Sequence, residues 1–319
     1  MGTEFDERSV NRRQFESRLD DGLDSAVTAV WGLFGPTSVV WQVNRFTSVN
    51  VLATSIGGHL DVAHPAVAWG VAEHSRVFDR PKERFSQTYL LLSRVIFGDV
   101  DQVRRVSRSL YSRHSRIEGV ASDSAGAYAA GSEYSANTLD GLLWVHLVYF
   151  WTRHLIYEST VGSLPESEWD RYVEESRRFG ACFGLPNEVM PATLAELAAA
   201  VDEYTASGRL SMTPAGTGIL DFLATLIPRV VRPAYYRFVT ELLAPDLGSL
   251  VGVSDRSARR RWGGEALRNF LRLHNRFAPR SIRYVPAFNE ASMQIEGRSA
   301  GWTVRAFNRR LCGRSTVLS

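Results

Sequence analysis

Seven histidines are the scarce reactive side chains of this 319-residue chain. No GxSxG elbow, HExxH, P-loop or GxGxxG pattern accompanies them. His59, His64 and His74 fall in one segment, His114 lies in SLYSRHSRIEG, and His274 lies far downstream. His146 and His154 belong to the apolar stretch that begins LDGLLWVHLVYFW. Burying an imidazole there without a partner costs roughly 1–3 kcal/mol, so a carbonyl or a metal should bond it. A zinc or non-haem iron site calls for several histidine or carboxylate ligands at i,i+3 or i,i+4, and the surroundings of His146 do not supply them. What surrounds it is aromatic: Trp144, Tyr149, Phe150 and Trp151. A single histidine in a flat apolar setting suits haem, because the porphyrin provides four ligands and the imidazole a fifth. The basic segment upstream offers Arg113, His114 and Arg116 to haem propionates or to the opposite face of the ring. His59, His64 and His74 form the rival set, a non-haem metal site. His64 also has a structural reading, as the residue before Pro65 at a helix start, and Asp140 has one in the helix dipole.

These residues need helices to place them. Period-2 alternation is scarce, and Val and Ile follow helical spacing, so the expected class is all-α. Ser25–Phe34 reads as a short apolar helix stopped by Gly35-Pro36. Val39–Ile56 reads as one helix ending at Gly57-Gly58. Pro65 opens the next, and Glu83–Phe97 and Val100–Ile117 form an amphipathic pair broken at Gly98-Asp99. Residues 119–131, rich in Gly, Ala and Ser, read as a loop. A buried helix from about Thr138 to Glu158 carries His146. Pro165 opens another, and Thr193 is the N-cap of a further one. Later helices are separated by Pro228, Pro233, Pro245 and Gly263-Gly264. The reading is a polar N-terminal extension, residues 1–24, followed by a single all-helical domain, residues 25–319.

Composition narrows the partners. With 45% hydrophobic and 22% charged residues, and a formal charge of +3, the chain has a sizeable core and no nucleic-acid signature. The densest basic run, Arg256–Arg261 in SDRSARRRW, reads as a solvated helix face. Cys182 and Cys312 form neither a CxxC nor a CxxCH pattern, which fits a reducing cytoplasm and indicates neither a zinc site nor covalent haem attachment. The polar N-terminus has no secretory signal pattern. The apolar run around His146 is shorter than the roughly 20 residues of a membrane span.

AHPAVAWGVAEHS, SRHSRIEG, YSANTLDGLLWVHLVYF and PESEWDRYVEESRRFGACFGLP, in that order, resemble the MpaB oxygenase family, which includes the rubber-cleaving latex clearing protein. The resemblance covers about Ala53–Ala200 and continues more loosely beyond. It implies an all-α, globin-like multi-helix bundle enclosing a pocket for non-covalent haem b, with O2 as co-substrate and a hydrophobic small molecule as substrate. His146 takes the place of the proximal iron ligand. Arg113 and His114 are the catalytic candidates, while Arg113, Ser115, Arg116, Trp144 and His64 are candidates for contact with the cofactor. One departure concerns the distal lysine of the rubber-cleaving branch: the only lysine here is Lys82, outside the motif, so His114 or an open site replaces it. The expectation is therefore a cytoplasmic haem-dependent oxygenase acting on a lipophilic metabolite, with homo-oligomerisation left open. The alternatives are a non-catalytic haem- or lipid-binding helical protein and the non-haem metalloenzyme.

Overall fold

The computed structural model describes residues 9–24, 31–253 and 263–318. Within them the helices are α1 (Arg12–Asp24), α2 (Val39–Asn44), α3 (Thr47–Asp61), α4 (Pro65–His74), α5 (Pro81–Phe97) and α6 (Val100–His114). A hairpin of β1 (Glu118–Val120) and β2 (Glu133–Ser135) follows. Then come α7 (Leu139–Thr160), α8 (Glu166–Ala181), α9 (Leu194–Ala206), α10 (Pro214–Leu226), α11 (Arg232–Leu242) and α12 (Pro245–Leu250). The chain closes with α13 (Gly263–Phe277), α14 (Arg280–Arg283), α15 (Pro286–Ile295) and α16 (Trp302–Cys312). The class is all-α, as the missing alternation implies.

Helix α7 is the axis of the molecule. Its residues are apolar on nearly every side, and α2, α3, α8, α9 and α13 pack around it. Thr138 sets its start by accepting a hydrogen bond from the Gly141 N–H. Helix α3 runs antiparallel to α7: Gly57 faces Val148 and Thr152, and the Trp144 indole donates to the Leu60 carbonyl at 2.9 Å. Asp61, the last residue of α3, lies within electrostatic reach of Arg153 of α7.

The single helix expected over 39–56 is two. The chain breaks at Arg45-Phe46, where a distant strand-like segment takes over the backbone hydrogen bonds: Val285 N–H donates to the Arg45 carbonyl at 2.8 Å and Phe46 bridges to Tyr284. The Asn50 amide covers the exposed carbonyls of Asn44 and Phe46. The second half then runs past Gly57-Gly58 to Asp61.

Other differences have similar tertiary causes. The polar N-terminal stretch contains α1, whose Phe15, Leu19 and Leu23 are buried against α6 and α8. Phe15 stacks on Tyr111, and Arg108 pairs with Glu16 on the solvent side. The segment read as a loop is flanked by the hairpin, with Gly119 opposite Tyr134. A Cβ at Gly119 would fall 2.6 Å from the Tyr134 hydroxyl, so the ring lies where any larger side chain would sit. Helix α6 stops at His114, three residues early, because the Ser115 hydroxyl returns to the Tyr111 carbonyl. Residues 31–34 form turns; the rest of the Ser25–Phe34 helix and the Arg256–Arg261 run lie outside the described residues. The Thr193 N-cap is present and accepts from Glu196 N–H. At the C-terminus, buried Glu290 accepts from Val317 N–H, Leu318 N–H and the Asn308 amide, fixing the tail to the body.

Candidate active site

His146 is 3% exposed and sits in the seam between α7 and α8. Phe150 and Phe179 flank its ring at 4.9 and 6.3 Å between centroids. Ser176 approaches Nε2 at 3.4 Å. The Ser176 hydroxyl hydrogen is already committed to the Val173 carbonyl at 2.6 Å. Its oxygen therefore accepts from His146, which puts the proton on Nε2 and the lone pair on Nδ1. Nδ1 is buried and has no hydrogen-bond partner. Burial alone pushes the imidazole down to about 3, so it is neutral across physiological pH. Gly180 makes room for the ring: a Cβ there would lie 3.2 Å from His146 Nδ1 and 2.1 Å from the Met190 sulfur. A neutral, buried imidazole with an uncommitted lone pair has the donor chemistry that would hold a haem iron, and in that respect the residue fits the group.

The adjoining face of α7 is the one its neighbours leave open. Leu142 and Tyr149 lie one turn before and after His146 and are partly buried. Val145 keeps 38% of its surface in the middle of a helix otherwise enclosed. Tyr149 stacks on Phe179 at 4.9 Å, and the Arg153 guanidinium lies 3.3 Å over its other face. Arg153 is 2% exposed and is held by Asn44 Oδ1 at 2.9 Å and by the Tyr149 carbonyl.

Asp61 supplies acidity beside this face. Burial pushes its carboxyl up to about 8, against the pull of Arg153 and Arg84, and its Oδ1 is buried without a partner. Arg84 is held by Ser75 and Thr88. Burial lowers Arg84, and nearby Arg113 lowers it further. The same two arginines act on His114, which burial and their charge bring to about 4 despite a hydrogen bond with Asn137. Asp61, Arg84, Arg113 and His114 thus share one electrostatic neighbourhood with positive charge in excess, and at neutral pH it contains a neutral carboxyl and a neutral imidazole.

A third group locks the start of α7. His64 Nε2 donates to Asp140 Oδ2 at 2.8 Å. Asp140 Oδ1 accepts from the Tyr204 hydroxyl at 2.9 Å and from Arg209 at 3.2 Å. Burial raises the Asp140 carboxyl, but His64, Tyr204 and Arg209 together hold it below its ordinary value. His64 is fully buried, and its Nδ1 is also without a partner.

The structure distributes the sequence candidates over these groups. Arg113 and His114 come together. Ser115 caps α6 and accepts from Asn137, and Arg116 is exposed just past that helix. Trp144 points away from His146, bonding Leu60 and stacking on Tyr204. Trp151 packs on His154, not on His146. The described contacts of His146 lie on the α8 side, whereas His114 bonds Asn137, just before α7, and lies near Arg84 of α5. His59 is engaged with the Ser55 carbonyl, His64 with Asp140, and His74 is exposed. Those three do not converge, and among the described residues no cluster of three or more His, Cys, Asp or Glu is placed to hold a metal ion by itself. Asp61, Arg84 and Arg153 were not anticipated from sequence. The one signal for Asp61 is an acid between Leu60 and Val62 at the end of an apolar helix.

Compared with known proteins, residues 40–275 match the family model described as ER-bound oxygenase mpaB/B'/rubber oxygenase, catalytic domain. The match takes in all three groups, from α2 to nearly the end of α13. No curated protein and no solved structure matches the chain.

Proposed function

Because the chain belongs to the mpaB/B'/rubber oxygenase catalytic-domain family, and its function is accordingly of the oxygenase type, we propose that it is a haem b-dependent oxygenase that uses O2 on a lipophilic small molecule, in which His146 would hold the haem iron. The observation that carries this reading is the His146 imidazole, which is buried, neutral and unpartnered at Nδ1. Haem, when bound, supplies the activation of O2.

The chain's own residues do the remaining work. Ser176 fixes the His146 tautomer from the side away from the lone pair. Leu142 and Val145 offer an apolar wall that excludes water from the substrate's hydrocarbon part. Asp61, protonated at neutral pH, donates a hydrogen bond or a proton at its carboxyl. Arg84 and Arg113 bring positive potential, and His114 stays neutral as a donor or acceptor. The His64–Asp140–Tyr204 lock holds the start of α7 so that His146 and the apolar wall keep their relation. Both cysteines are free, which fits the cytoplasm as the location.

An absorption spectrum tests the reading. Protein expressed with added iron and haem precursor should show a strong Soret band that is lost or shifted in His146→Ala. Absence of haem from folded wild-type protein overturns the proposal. O2 uptake that depends on an added lipophilic substrate separates turnover from haem storage.

A further inference from the structure

Among the described residues, nothing packs on a second apolar face of helix α13. Phe270, Leu273 and Phe277 are 64%, 59% and 69% exposed and lie at i, i+3 and i+7, so they form one strip. Exposed Ala266 extends the strip by a turn. The core contacts of the same helix use the other side: Leu271 and Asn275 are buried, and Arg268 reaches Glu241 and the Phe238 ring of α11. Ile282, half exposed in α14, follows the strip in sequence. Two phenylalanines and a leucine held in water on one helix face have no folding reason to be there.

The charges around the strip are one-sided. From Gly263 to Asn289 the sequence carries Arg268, Arg272, Arg276, Arg280 and Arg283 against a single acid, Glu265. Arg272 bonds the Ser159 carbonyl, Arg276 lies by the Phe277 ring, and Arg283 bonds the carbonyls of Asn275 and Arg276. Among the described residues, none of Arg272, Arg276, Arg280 and Arg283 is in an ion pair with a carboxylate. On the helical wheel Arg276 borders the strip, whereas Arg272 lies toward the core side, where it bonds Ser159.

We propose that the α13–α14 face docks on an anionic lipid surface, with Phe270, Leu273 and Phe277 entering the acyl boundary and the exposed Arg276 and Arg280 meeting the phosphates and acidic headgroups. Charge selects this occupant over a second copy of the chain. A two-fold contact through the strip would set the same uncompensated arginines against each other, whereas an acidic bilayer neutralises them. The attachment is peripheral, since among the described residues no helix is long and apolar enough to cross a membrane. The inference is independent of the oxygenase reading and is tested without turnover.

The experiment is vesicle flotation of the full chain with phosphatidylcholine alone and with phosphatidylcholine–phosphatidylserine mixtures, alongside light scattering for oligomeric state. Wild type should float with the acidic vesicles, less so as salt rises, and stay behind with phosphatidylcholine alone. Arg276→Ala/Arg280→Ala should lower partitioning by roughly twenty-five-fold, about five-fold per arginine. Phe270→Ser/Leu273→Ser/Phe277→Ser should abolish it while the far-UV spectrum and melting temperature stay those of wild type. Failure of wild type to bind acidic vesicles overturns the proposal, as does equal binding to both vesicle types. A dimer that dissociates in the triple serine variant, with no vesicle binding, assigns the face to self-association instead.

Discussion

Asp61→Asn is the most discriminating perturbation of the polar group beside α7. In the folded chain burial raises the carboxyl from 3.8 to about 8. Between about pH 4 and pH 8 the folded state therefore holds a proton that the unfolded state has released, and wild-type stability falls as pH rises through that window. Taken in full, the linkage at pH 7 is about 4 kcal/mol, at about 1.36 kcal/mol per pH unit above the unfolded value. Asp61 keeps some accessible surface, so solvent screening reduces this to about 2 kcal/mol. Asparagine has no such proton to hold, retains the shape and offers both a donor and an acceptor. The variant should be more stable than wild type by about 1 kcal/mol at pH 5 and about 2 kcal/mol at pH 7, with the two converging below pH 4. Urea unfolding of both proteins at several pH values measures the gap. A variant that is less stable than wild type at pH 7 would mean that Asp61 is ionised and paired with Arg153 or Arg84, and a gap that does not change with pH would equally refute the assignment.

Two further substitutions probe the seam and the tail. Gly180→Ala places a methyl 2.1 Å from the Met190 sulfur and 3.2 Å from the His146 ring; Met190 must be displaced, at a cost of about 1–3 kcal/mol read from thermal or denaturant unfolding. An unchanged midpoint would mean that the seam is looser than its packing indicates. Glu290→Ala removes the acceptor of three buried hydrogen bonds and leaves the N–H groups of Val317 and Leu318 without partners, so a loss of about 3 kcal/mol and rapid amide exchange at both residues are expected. Protection that survives the substitution would show that other contacts hold the tail.

Sequence alone determined the helical class and the burial of the helix that carries His146, because both follow from local composition: spacing sets helix faces, and a helix apolar on nearly every side is enclosed by its neighbours. It also brought out Arg113 and His114 as a pair, since they are adjacent in the chain. Tertiary structure alone decided which way each side chain turned. Trp144 and His146 are two residues apart, so they leave α7 on opposite sides, one toward α3 and α9 and the other toward α8. The Asp61–Arg84–His114 neighbourhood joins three helices whose order in sequence gives no hint of contact. Its unusual protonation arises from enclosure, which no single segment carries. The break at Arg45 belongs to the same class, because the N–H that satisfies it comes from Val285, at the far end of the chain. Local patterns fix what a segment is; the partner that completes its hydrogen bonds, or withholds solvent from its charges, is fixed only when distant segments pack.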